Sequence, residues 1–211
     1  MLAAMLAMLA TLVPAGGGAA AASSSSSSSE SLDDAEISRA TADFYRTWPY
    51  PLSTRGEEAT NESLAEGFDV LFDLGSTVQI NHFAFGSRRN WKTGVFRVLV
   101  AGSGTGKAVE SVIASLRHLG LHNYNVTCID LSSTSLDILR RRLDLRSVLD
   151  ERVRVEEKDL LSLDAADTGE FDYILCTGVL HHLNSPKRGL AQADEVGGSA
   201  ADADDAPAAG G

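Results

Sequence analysis

The stretch that most limits what this chain can fold into is Val95–Ser111, VFRVLVAGSGTGKAVES. An apolar run breaks into three glycines separated by single residues. The loop leads into a helical pattern, Lys107–Leu119, with Val109, Val112, Ile113 and Leu116 on one face. A strand that turns tightly into a helix uses glycine this densely, because glycine takes positive φ and lets the backbone approach a neighbour closely. The pattern then repeats. Val126–Ile129 is a second strand-like run and Leu136–Leu149 a second helix, with Leu136, Leu139, Leu143 and Val148 as its apolar positions. Val153–Val155 is a third, weaker strand, and Phe171–Cys176 a fourth. Strands alternating with helical patterns predict an α/β fold with a parallel sheet. The continuous apolar strands place helices on both of its faces.

The 211 residues suffice for one core, but not all of them can join it. Residues 1–29 carry no charge and end in seven serines, and beyond Gly197 only Gly, Ala, Ser, Asp and one Pro occur. Neither end buries enough apolar surface to offset its ordering entropy, which predicts disorder at both. The resulting division is a low-complexity segment 1–30, a helical lead-in 31–94, a core 95–193 and an acidic Gly/Ala tail 194–211. In the lead-in, a helix begins at Ser31 or Asp33 and presents Ile37, Ala40 or Thr41, Phe44 and Tyr45. Trp48-Pro49-Tyr50-Pro51 ends it, since each proline restricts the residue before it. A second amphipathic pattern, SLAEGFDVLFDL, and an aromatic connector, INHFAFGSRRNW, follow.

Three motifs compete for the glycine loop. A triphosphate loop ending at Gly106-Lys107 requires Gly at 101 and Ser or Thr at 108, and this chain has Ala101 and Ala108. A dinucleotide loop, GxGxxG, requires its third glycine at 107, where Lys107 stands. GxGxG remains, written Gly102-Ser103-Gly104-Thr105-Gly106. Asp130 ends the second strand 24 residues after Gly106, placed to accept hydrogen bonds from both ribose hydroxyls of an adenosine. It also reads as a strand-end or helix-cap residue. Asp159 stands at the corresponding place after the third strand, where acids are common in any case, and the fourth strand runs into TGVLHHL. All these ends fall at the carboxyl edge of one sheet, where open α/β sheets bind ligands.

Together, FRVLVAGSGTG, CIDLSSTSLDILRRR, KDLLSL and FDYILCTGVLHHL resemble the class I S-adenosylmethionine-dependent methyltransferases, with their Rossmann-like sheet. The WPYP and INHFAFGSRR segments are similar to those of one subgroup, and the resemblance covers about Phe44 to Leu190. It implies S-adenosylmethionine as cofactor, with Gly102, Ser103, Gly104, Thr105 and Gly106 packing against its methionine and adenosine parts. Asp130 would hold the ribose, Leu131 would lie against the adenine, and Asp159 and Leu160 would read the adenine amino edge. Thr177, Gly178 and Val179 would line the methyl-donating side. One departure stands out: many members have an acid where this chain has Val100 or Ala101.

The resemblance names the donor and leaves the acceptor open. Either His181 or His182 lines the acceptor side or acts as a base, or the pair starts the next helix. The family's sheet has seven strands and four are readable here, which leads to the expectation of a truncated core. Its fourth strand would then be an open edge for a partner chain to cover. A non-catalytic, cofactor-binding or interaction remnant is the alternative function, and an NAD-binding protein ranks below it. Five acids of the tail, Asp194, Glu195, Asp202, Asp204 and Asp205, account for much of the net charge of −11. Arg140, Arg141 and Arg142 read as a solvated helix face, so nucleic acid is not an expected partner. Cys128 and Cys176 lie in strand-like runs as buried thiols, and no metal-ligand pattern occurs. The first thirteen residues are too short an apolar run to span a bilayer. A targeting peptide and a meaningless extension both remain open for residues 1–30, so the predicted location is cytoplasmic or organellar.

Overall fold

Four parallel strands organise the chain: β1 (Phe96–Ala101), β2 (Tyr124–Asp130), β3 (Val153–Glu157) and β4 (Tyr173–Cys176), in the spatial order β3-β2-β1-β4. The computed structural model describes residues 33–50, 64, 74–82 and 94–197. The expectations for residues 1–32, for most of the segment between 51 and 93, and for the tail beyond 197 lie outside the described residues. In register, Val98 stands opposite Val126 and Tyr173, and Val126 opposite Val153, so one row of side chains crosses the whole sheet.

Strand alternation splits the core in two. Phe96, Val98 and Val100 point to one face and meet the apolar stripes of α3 (Lys107–His118) and α4 (Ser133–Leu145) through Val109, Val112, Leu116, Leu136, Leu139 and Leu143. A short helix, α2 (Leu74–Ile80), joins this layer with Ile80 buried and Thr77 donating to Ser115 at 2.8 Å. Leu99 and Ala101 point the other way, onto Ile129, Leu160, Leu163, Phe171, Ala193 and Val196. Each valine or leucine so buried contributes roughly 1.5–3 kcal/mol. Both faces are covered, as continuous apolar strands require.

Helix ends differ from the sequence reading for local reasons. α4 starts three residues earlier than the apolar positions suggest, because the Ser132 side chain caps it by accepting from Ser135 N–H at 3.2 Å. It also stops before Leu149, where Ser147 takes a φ of 54° and Val148 N–H turns back to the Leu143 carbonyl at 2.9 Å. A short helix α5 (Ala165–Thr168) precedes β4, and α6 (Pro186–Glu195) follows it, capped by Ser185. α6 passes the boundary expected at residue 193. Val196 is fully buried, and Phe171 N–H donates to its carbonyl at 2.8 Å.

Two residues overturn their sequence readings. Arg142 is not on a solvated face: it is completely buried, opposite Glu110 of α3. Cys128 is a buried thiol as expected, while Cys176 is only half-buried; both are free. No helix among the described residues is long and apolar enough to cross a membrane.

Candidate functional site

The chain leaves β3 and crosses to the far side of β1 before forming β4, so the strand order reverses beside β1. In such sheets the crevice outside the carboxyl ends at the reversal is where ligands bind. The glycine loop follows β1 at that point. Gly102 and Gly106 hold φ of 67° and 102°, and a Cβ on Gly102 would overlap the Val179 side chain. Val179 follows β4, so the loops after β1 and β4 come this close only because residue 102 has no side chain.

The loop's backbone is tied to β2. Ser103 N–H donates to the Ile129 carbonyl at 3.0 Å, and Gly104 N–H donates to Asp130 Oδ2 at 2.8 Å. The second oxygen, Oδ1, accepts from Ser132 N–H at 2.9 Å. Burial raises the Asp130 carboxyl above the usual range, while the amides of Ser132, Gly104 and Leu131 pull it back down. Asp130 therefore ends β2 and fastens the glycine loop to it. Ser103 Oγ is buried and has no hydrogen-bond partner among the described residues. A buried hydroxyl left over in such a loop fits a ligand that brings its own polar atoms.

Asp159 caps the 3₁₀ turn Leu160–Ser162 by accepting from Leu161 N–H at 2.9 Å. Leu160 differs from expectation in one respect. Its side chain is buried in the core cluster that includes Leu99 and Ala101. Leu131 and Val179 are half-buried, and Thr177 and Gly178 are exposed just past β4. His181 and His182 form a separate 3₁₀ turn with Leu180, before α6 begins. Their rings are 3.9 Å apart between centroids. Burial, and then the neighbouring His181, hold His182 below its ordinary pKa.

The sequence reading missed the contribution of α1 (Asp34–Thr47), whose capping box is closed by Asp33 and Glu36. Ser38 donates to Asp159 Oδ2 at 2.5 Å, and the Tyr45 hydroxyl is hydrogen-bonded to His182 Nε2 at 2.8 Å. Arg46 pairs with Glu157 at 3.1 Å, Arg188 pairs with Asp34, and Thr105 N–H donates to the Tyr50 carbonyl at 3.3 Å. α1 thus joins the regions after β3 and β4, and Tyr50, just beyond it, reaches the glycine loop. Phe44, expected on its inner face, is 57% exposed. The inner face combines the expected Ile37, Thr41 and Tyr45, all half-buried, with Asp34, Ser38 and the buried Ala42, an i, i+4, i+8 stripe of polar or small residues. That spacing was available as a signal, but apolar periodicity does not find it.

At the opposite edge, where the strands begin, a cavity of about 390 Å³ is lined by Arg97, Asn125, Thr127, Arg152 and Arg154 among others. It shares no residue with the crevice.

Residues 99–196 match the family described as "Methyltransferase domain". An uncharacterised protein of Synechococcus sp. is 32% identical over 156 residues, which are 74% of this chain and 33% of that protein. Among solved structures, the N-terminal domain of EvdMO1 with SAH and D-fucose is similar at 20% identity and a TM-score of 0.49, over 81% of this chain and 64% of that one. A SAM-dependent methyltransferase from Thiobacillus denitrificans, in complex with S-adenosyl-L-homocysteine, is similar at 19% identity and a TM-score of 0.44, over 61% of this chain and 46% of that one. The chain spans about a third of the length of the curated relative it matches.

Proposed function

We propose that the chain binds S-adenosylmethionine in the crevice beside β1 and serves methyl transfer, a reading supported by the match of residues 99–196 to a methyltransferase domain and by the Rossmann-like strand order. The observation that carries the reading is the bond from Gly104 N–H to Asp130 Oδ2, 2.8 Å. It brings the GxGxG loop and the one acid at the end of β2 into a single constellation.

In this reading Gly102 to Gly106 give the ligand a bare backbone to lie against, and Ser103 Oγ gains the partner it lacks. Asp130 accepts from the ribose hydroxyls through its remaining lone pairs, and Leu131 packs on the adenine. Asp159 and the Leu160 backbone meet the adenine edge. Thr177, Gly178 and Val179 line the side from which the methyl group leaves. The cofactor, when bound, supplies that methyl group on a sulfonium. The chain's own part is to hold an acceptor in line, where orientation alone lowers the barrier by several kcal/mol. Tyr45, His181 and His182 stand on the acceptor side, and His182, held below its ordinary pKa, is neutral at pH 7 and able to take a proton.

Calorimetric titration with S-adenosylmethionine tests this. Binding that falls at least about tenfold in Asp130→Ala, the loss expected from a charge-assisted hydrogen-bond pair, supports the proposal. Absence of binding in the unaltered chain, or equal binding in the variant, refutes it.

A further inference from the structure

A charged cluster lies beneath the glycine loop, between α3 and α4. The Arg142 side chain is 0% exposed and that of Glu110 3%, with Arg142 Nη1 3.8 Å from Glu110 Oε2. Arg146, at the end of α4, approaches Glu110 Oε1 with Nε at 2.7 Å. Replacing a buried ion pair by apolar groups of the same volume is often neutral or stabilising, so stability alone does not account for two such residues.

What the cluster touches supplies a reason. Glu110 N–H donates to the Gly106 carbonyl at 3.0 Å. A Cβ at Gly106 would stand 3.6 Å from Arg142 Cδ and 3.2 Å from Leu139 Cγ, so the stem of Arg142 packs directly under the last glycine. One partner is joined to the loop through its backbone, the other through its side chain. The Glu110 carboxylate joins α3 to α4 directly beneath the loop that Gly106 closes.

We infer that Glu110 and Arg142 are positioning residues for the glycine loop, holding Gly104 and Gly106 in the arrangement that receives the cofactor. This rests on the loop being the cofactor site. Burial pushes the Glu110 carboxyl up to about 7, outweighing Arg146 and Arg142, so its charge is lost just below neutrality. Those two guanidiniums, both from α4, are the charges that act on Glu110. Lys107, one turn earlier on α3, is exposed, and α2 brings Thr77, a neutral group, against α3. Cofactor affinity therefore weakens as pH falls through 7.

The test combines two readouts on the full chain, Glu110→Gln and Arg142→Met: amide-exchange protection of Gly104 and Gly106 by NMR, and calorimetric titration with S-adenosylhomocysteine, each at pH 6 and 8. In the unaltered chain, protection and affinity should each fall at least about fivefold from pH 8 to 6, the lower end of ordinary coupling between sites. Both variants should resemble the low-pH form at either pH, with protection across β1 and β2 retained. Titration of His182 or Asp130 would survive in Glu110→Gln, and a pH profile unchanged in that variant overturns the inference. Loop protection that responds as expected in a chain that binds no S-adenosylhomocysteine keeps the positioning role and sinks the proposed cofactor instead.

Discussion

Replacing Gly102 by alanine perturbs the closest approach in the crevice, and its cost divides into two parts. The first is conformational. A φ of 67° lies in the left-handed region, where an L side chain costs about 1–2 kcal/mol. The second is steric. The new methyl would overlap Cγ2 of Val179, and an extra methyl forced into packed surroundings costs about 1–3 kcal/mol. Together they predict a loss of about 2–5 kcal/mol, measured by urea unfolding followed by far-ultraviolet circular dichroism with the slope unchanged. Val179→Ala should cost about 1 kcal/mol alone, because its methyls are only half-buried. In that background the steric part disappears, so Gly102→Ala should then cost only about 1–2 kcal/mol. Equal costs in the two backgrounds would show that the loops after β1 and β4 do not meet through this contact.

Three further outcomes are expected. Ser38→Ala removes the hydroxyl donor from Asp159 and should destabilise the chain by about 1 kcal/mol at most, because the bond is only part-buried; urea unfolding of the single and paired Asp159→Asn variants measures the coupling. In an NMR titration His182 should titrate below 6.5, and His181→Asn should raise it by removing the neighbouring positive charge. Glu110 has a folded pKa of about 7 against 4.5, so between those values the folded chain holds the proton more tightly than the unfolded one. Its share of stability is thus present below pH 4.5 and lost as pH rises to about 7, by roughly 3 kcal/mol at most. In Glu110→Gln that part of the pH dependence of urea unfolding should vanish.

What was legible in the sequence was local. The run from β1 through the glycines into α3 shows itself because strand, turn and helix each leave their own period, and Asp130 could be placed because it closes the next apolar run. The setting of α1 was not legible, because its inner face includes Ser38 and Ala42 beside the expected Tyr45, and Ser38 and Tyr45 turn inward for hydrogen bonds. Arg142 was misread for a related reason. Its neighbours Arg140 and Arg141 suggested a solvated run, and its partner Glu110 is 32 residues away on another helix. The burial of Val196 was not legible because, isolated among small and acidic residues, it carries no periodic signal, yet it lies in one core cluster with Phe171.

The most direct measurement is an NMR map of amide shifts on adding S-adenosylhomocysteine to the full chain. Binding in the crevice predicts the largest shifts at Ser103, Gly104, Asp130, Leu131, Asp159 and Gly178, with Arg97, Thr127 and Arg154 at the opposite cavity unmoved. Shifts centred on that opposite cavity, or none at saturating ligand, would contradict the account.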